Sequence, residues 1–159
     1  MGEEVFIDAN IFLEIFLKDN KSEECKKFLK SLQEQDVTSI TTDFIIYSCI
    51  INVQNNLKNS ESIKNAIIFF GNYKNLRVIR PTFDEFYSAV DIINSDKLDF
   101  DDSLVVACMK NYGIKELASL DRHFDKVKGI ERVRIWKSDL SAGMYKQNIA
   151  VLCYFSFPN

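Results

Sequence analysis

Apolar residues recur along the chain in two rhythms, short unbroken runs and longer stretches at helical spacing. Val5, Phe6 and Ile7 form a short run that closes on Asp8, the pattern of a buried central strand. From Asn10 the period changes, and Ile11, Phe12, Ile15 and Phe16 share one side of a helix. A turn over 18–21 leads to a second helix, in which Asn20 and Glu23 stand like a capping pair and Cys25, Phe28, Leu29 and Leu32 keep helical spacing. Residues 37–40 predict a second strand, and Thr42 is placed to cap a helix over 43–57. Because 44–53 is apolar on nearly every side, that helix is expected to be sandwiched in the interior.

A further helix runs from Asn59 or Ser60 to Gly71, with Ile63, Ala66, Ile67 and Phe70 on its apolar face. The third strand is expected over 76–79. Thr82 and Glu85 then form a capping box for a helix bearing Phe83, Phe86, Val90 and Ile93. An acidic knot of Asp99, Asp101 and Asp102 opens the next helix, which turns Leu104, Val105, Cys108, Met109 and Tyr112 inward until Gly113 stops it. A fourth strand over 117–120 closes on Asp121, and a fifth is expected over 133–136. Strands alternating with helices of this length imply an α/β fold, a parallel sheet with helices on both faces.

The chain has 159 residues, which suits one domain, expected over 1–138. Residues 139–159 form an apolar extension carrying Ala150, Val151, Leu152, Tyr154, Phe155 and Phe157; it either covers the domain or buries against a second copy. With 47% hydrophobic and 27% charged residues but only 5 Gly and 2 Pro, disordered and collagen-like readings are excluded. A net charge of −3 excludes nucleic-acid binding through an overall basic surface, while leaving room for a local basic rim beside an acidic pit. The cysteines, Cys25, Cys49, Cys108 and Cys153, are scattered, with no His at zinc-ligand spacing, and read as buried thiols in a reducing compartment. The acidic start lacks the basic flank of a secretory signal, and the apolar run over 149–157 is well short of a membrane span. A cytoplasmic protein with no membrane segment is expected.

In an open parallel sheet the productive crevice lies beyond the carboxyl ends of the strands, where strand order reverses. Asp8 and Asp121 stand at such ends, and Asp102 lies in the first turn of a helix feeding the fourth strand. Carboxylates meeting there repel by roughly 4 kcal/mol per pair at 4 Å and an effective dielectric near 20. Something positive must sit among them, or some must be protonated. Oxygen-only ligation suits Mg²⁺ or Mn²⁺, and the chemistry such an ion supports is phosphodiester hydrolysis. Taken singly, each Asp serves equally as a helix cap or turn former.

The order Ile7-Asp8-Ala9-Asn10, then Asp99-Phe100-Asp101-Asp102-Ser103-Leu104, then Ser119-Leu120-Asp121-Arg122-His123-Phe124 resembles the PIN domain of VapC-type ribonuclease toxins, over about 5–136. The resemblance implies a three-layer α/β/α fold with a five-stranded parallel sheet of order 3-2-1-4-5. It also implies Asp8, Asp102 and Asp121 as catalytic, metal-binding acids, with Asp99 and Asp101 in support, single-stranded RNA as substrate, an antitoxin partner and a homodimer. Asn10 matches a polar position of the motif and serves equally as a helix cap. The family's remaining acid, a Glu in the third helix, is matched here by Ser48, and Asp43 lies about 140° away around that helix. Glu14 offers a substitute carboxylate or a solvated surface position. Ser48 motivates an alternative reading, a catalytically degenerate PIN fold that binds RNA or a protein without cutting.

Arg122, Lys126 and Lys128 follow Asp121 closely and suit either RNA phosphates at the rim or a solvated loop. Arg77, Arg80, Arg132 and Arg134 flank strands and could contribute similarly. His123, the single histidine, stands beside Asp121, where a general base and an ordinary loop residue are the two readings. The 13 Phe and 6 Tyr fall mostly at core-facing helical positions and point to packing rather than base stacking.

Overall fold

The computed structural model describes residues 3–133 and Ile135. Five strands, β1 (Glu4–Ile7), β2 (Thr38–Thr42), β3 (Leu76–Ile79), β4 (Glu116–Ala118) and β5 (Glu131–Val133), form one sheet. Its order is β3-β2-β1-β4-β5, and every pairing is parallel. The helices are α1 (Ala9–Phe16), α2 (Ser22–Glu34), α3 (Asp43–Leu57), α4 (Ser60–Asn72), α5 (Phe83–Asp96) and α6 (Phe100–Tyr112), followed by a 3₁₀ turn over Arg122–Lys126. This is the expected α/β sandwich with its strand order. The reversal falls at β1, which pairs with β2 on one side and β4 on the other. The ends of β1 and β4 therefore lie side by side.

Val5, Phe6, Ile7, Ile40 and Leu117 are fully buried, as strands covered on both faces must be. Phe12 of α1 meets Phe70 of α4 edge to face at 4.9 Å, and Phe16 meets Phe69 at 5.3 Å. These rings serve packing as expected, whereas Tyr47, Phe83, Tyr87, Phe100 and Tyr112, the last expected to face inward, are exposed. Thr42 caps α3 by accepting the Ile45 N–H, and Asn59 caps α4 by accepting that of Ser62. Gly113 ends α6 with φ 70°, a left-handed conformation that glycine adopts without penalty.

Several local expectations are corrected. The Asn20–Glu23 cap does not form: α2 begins after Lys21, whose N–H is taken by the Glu14 carboxylate at 2.9 Å. Glu14 is thereby committed to the α1–α2 turn. β5 starts at Glu131 rather than 133, because its Glu131 N–H reaches the Lys115 carbonyl at 2.8 Å. The α3 helix is not enclosed. Ile45, Cys49 and Val53 face inward, while Tyr47 and Ile51 are 60% and 56% exposed. On α5 the packed face is Glu85, Ala89 and Ile92, and Phe83 and Tyr87 stand 76% and 73% exposed. The Glu85 carboxylate caps Thr82 and accepts from Asn111 of α6 at 2.6 Å, which turns that side of α5 inward and rolls Phe83 out.

Cys25, Cys49 and Cys108 are buried free thiols, as expected, and burial pushes Cys25 and Cys108 up to about 12. Cys153 and the boundary at 138 lie outside the described residues. No helix among the described residues is long and apolar enough to cross a membrane.

Candidate metal centre

β1 ends at Ile7, and Asp8 becomes the N-cap of α1, with one carboxylate oxygen accepting the Ala9 N–H at 2.7 Å. Its other oxygen accepts from the Asn10 side-chain amide at 2.6 Å and from the Ser119 hydroxyl at 2.7 Å. Asn10 is thus a ligand of Asp8 and not the residue that opens the helix; its own carbonyl oxygen accepts the Leu120 N–H at 3.1 Å. A carboxylate offers about four acceptor sites, so these three bonds leave Asp8 one.

Asp121 lies three residues past the end of β4, not directly on it. The chain leaves the ladder because Ser119 Oγ accepts the Asp121 N–H at 3.0 Å and the Asp121 carboxylate accepts that of His123 at 2.8 Å. On the other side, Asp99 caps α6 by accepting the Asp102 N–H at 3.2 Å, which places Asp102 in the first turn. Asp101, its neighbour, is exposed.

The side chains of Asp102, Asp121 and His123 converge, each offering one ligand atom, with those atoms all within 4.8 Å of one another. Asp8 is not part of that tight group but shares its field. Burial pushes the Asp8 carboxyl from 3.8 up to about 6, against the pull of its Ser119 and Ala9 hydrogen bonds, with the charges of Asp121 and Asp101 adding to the rise. Asp102 is pushed up to about 7, first by burial and then by the charges of Asp99, Asp8, Asp121 and Asp101. The charges that raise Asp8 and Asp102 are all carboxylates, so negative potential accumulates in the pit. Its donor set, two carboxylates and an imidazole with a third carboxylate beside them, fits a divalent cation.

His123 is the member that oxygen-only ligation left out. Its sequence signal was adjacency to Asp121; what could not be read from spacing is the tight turn that folds the ring back, putting Nδ1 3.2 Å from the Asp121 carboxylate. The other predicted positions scatter. Ser48 is half-buried on α3, and its carbonyl accepts from the Asn52 side chain. Asp43, the one acid on α3, pairs with Arg80 at 2.9 Å. Arg122 and Lys128 are exposed, while Lys126, also exposed, donates to the Lys97 carbonyl at 3.3 Å. Arg77 is paired with Glu4. Arg132 is nearly buried, held by Asp125 at 2.6 Å and donating to the Ser119 carbonyl, so it braces the loop rather than lining a rim. Arg134 lies outside the described residues.

A parallel sheet flanked by helices, with a cluster of acids at its reversal, defines an α/β domain with a candidate metal centre beyond the strand ends. The PIN domain family model matches residues 5–130, and the chain belongs to that family. Solved structures of the same fold include the Mycobacterium tuberculosis toxin VapC20, described as cleaving the sarcin-ricin loop. It is 17% identical with a TM-score of 0.63, over 76% of this chain and 92% of that one. VapBC2 from Rickettsia felis, bound to a promoter DNA fragment, is 13% identical with a TM-score of 0.64, over 81% and 96%. A toxin-antitoxin complex from Klebsiella pneumoniae is 14% identical with a TM-score of 0.63, over 83% and 98%. No curated protein matches the sequence.

Proposed function

We propose that this protein is an Mg²⁺- or Mn²⁺-dependent endoribonuclease that hydrolyses single-stranded RNA, acting in the cytoplasm as the toxin of a toxin-antitoxin pair. The observation that carries the reading is the meeting of Asp102 and Asp121 in a PIN chain, with Asp8 close enough to share their field and Asp8 and Asp102 both raised above 3.8. A divalent ion bound there supplies an activated water and neutralises the charge that builds on the phosphodiester. Asp102 and Asp121 hold it, and Asp8 contributes its charge and its one free acceptor site. Asn10 and Ser119 fix the orientation of Asp8, and Asp99 fixes the first turn that presents Asp102. Arg122, Lys126 and Lys128 receive the RNA phosphates beside the pit.

The likeness of this chain's fold to solved toxin-antitoxin complexes supports an inhibitory antitoxin as partner. A homodimer belongs to the same reading: Tyr47, Ile51, Phe83 and Tyr87 leave apolar surface on α3 and α5 for a second copy. Light scattering at micromolar concentration should give twice the chain mass, and a monomer would remove that part.

The test of the activity is cleavage of single-stranded RNA by purified protein with added Mn²⁺ or Mg²⁺. Asp8→Asn and Asp102→Asn should each abolish it. Cleavage that persists in excess chelator, or that both variants retain, overturns the proposal. The absence of a carboxylate at Ser48 favours a second reading, a degenerate module that binds RNA or protein without cutting. In that case RNA or partner binding survives while calorimetry detects no divalent ion in the millimolar range.

A further inference from the structure

We infer that His123 is a direct ligand of the metal, supplying through nitrogen the donor that Ser48 fails to supply through oxygen. The inference rests on the metal-dependent reading above and deepens it. Three observations converge on it. First, α3 carries no glutamate: its one acid, Asp43, is paired with Arg80 at 2.9 Å. Second, a His123 ring nitrogen belongs to the same group of ligand atoms as Asp102 and Asp121. Third, Nδ1 stands 3.2 Å from the Asp121 oxygen. Neighbouring ligand atoms about 2.1 Å from one octahedral ion lie roughly 3 Å apart, so a shared cation fits that spacing.

The local fold makes the placement firm. The His123 N–H is held by the Asp121 carboxylate, and Phe124, the next residue, is fully buried and anchors the turn. The ring itself is largely exposed, so it can accept an ion without breaking core packing. Chemically, one imidazole among carboxylates shifts preference from Mg²⁺ toward Mn²⁺ and the later divalent metals, because nitrogen donors favour them while Mg²⁺ prefers oxygen. Selectivity for Mn²⁺ over Mg²⁺ is therefore set by His123.

The probe is Mn²⁺ alone, titrated by calorimetry into full-length wild type, His123→Ala, His123→Asp and Asp102→Asn, with pulsed electron paramagnetic resonance on each bound sample. Wild type should show nitrogen modulation from a directly bound imidazole. His123→Ala should lose that signal and bind Mn²⁺ about 10- to 100-fold more weakly, a range typical for loss of a group that supports a metal. His123→Asp should recover affinity without the nitrogen signal and narrow the gap between Mn²⁺ and Mg²⁺. Mn²⁺ bound to wild type with no nitrogen signal, and with equal affinity in His123→Ala, overturns the assignment while leaving the metal-dependent reading intact. A nitrogen signal in a protein that cuts no RNA leaves the assignment standing and removes the nuclease. No Mn²⁺ binding to wild type at all removes both.

Discussion

Asn10 and Ser119, separated by 109 positions, are hydrogen-bonded to each other at 3.0 Å and both donate to the same oxygen of Asp8. Ser119 also accepts the Asp121 N–H, so one hydroxyl couples the acid after β1 to the acid after β4. Ser119→Ala should misorient both carboxylates at once. RNA cleavage is expected to fall about 10- to 100-fold, as for other groups that orient metal-binding side chains, with stability lower by about 1–3 kcal/mol. Ser119→Thr, which keeps the hydroxyl, should retain most of both. Cleavage assays beside urea denaturation measure the two effects, and a Thr variant as impaired as the Ala variant would argue for a packing role instead.

The charge at the pit has a stability consequence with a definite sign. Asp8 and Asp102 carry folded-state values of about 6 and about 7 against 3.8 in a free chain. The folded protein therefore holds more protons than the unfolded chain between about pH 4 and pH 7. Stability without metal should be greatest below pH 4 as far as these groups are concerned, and should decline as pH rises through 6 and 7. Millimolar Mn²⁺ should reverse that decline at pH 8 by binding the ionised form. Thermal melts at stepped pH, with and without Mn²⁺, read it directly.

Asp102→Asn removes one of the repelling charges while keeping the shape of the side chain. After allowance for solvent screening at this half-buried position, the metal-free variant should gain about 1–2 kcal/mol at pH 8. For a chain of this size that raises Tm by roughly 2–8 °C. The same variant should cut no RNA. A less stable Asp102→Asn protein would mean that Asp102 is chiefly structural.

The sheet, its order and the places of Asp8, Asp102 and Asp121 were legible because apolar runs and acidic strand ends sit at regular intervals, and the PIN motifs fix their order. Side-chain direction within helices was less legible. The α5 helix carries apolar residues on more than one side, and the tie from Glu85 to Asn111 decides which side packs. No periodicity records that contact. The α3 helix, apolar all round, reads as enclosed, yet only its Ile45, Cys49 and Val53 side packs, and Tyr47 and Ile51 face outward. His123 became part of the site through a turn built from Ser119 and Asp121 hydroxyl and carboxylate bonds, a three-dimensional cause that adjacency in sequence only hints at.

The distinction between packed and open aromatics is itself testable. Phe12 is fully buried and touches both Phe69 and Phe70, so Phe12→Ala should cost about 3–5 kcal/mol. Phe83 stands on the open side of α5 in the single chain, so Phe83→Ser should change the stability of the dissociated chain by no more than about 0.5 kcal/mol while weakening the homodimer. Chemical denaturation of the two variants side by side checks the assignment of faces. Equal losses in the dissociated chain would mean that Phe83 packs within its own chain and is not left for a second copy.

Arg132 supports the site from behind. Its side chain is 7% exposed, two of its nitrogens meet the two oxygens of Asp125, and a third reaches the Ser119 carbonyl at 3.2 Å. The bidentate pair fastens β5 to the turn that carries Asp121 and His123, and only a planar guanidinium makes all these bonds together. Asp125 is 47% exposed, so breaking the pair leaves its charge in water, whereas the Ser119 carbonyl loses a partner at a partly buried position. Arg132→Lys should therefore cost about 1–3 kcal/mol and loosen the turn rather than unfold the sheet. Hydrogen exchange is the sensitive readout: the His123 and Asp121 amides should exchange faster in Arg132→Lys, while those of β1 stay protected. Mn²⁺ affinity should fall with the turn's order. Unchanged exchange at Asp121 and His123 would show that the loop is held by Ser119 and the buried Phe124 alone.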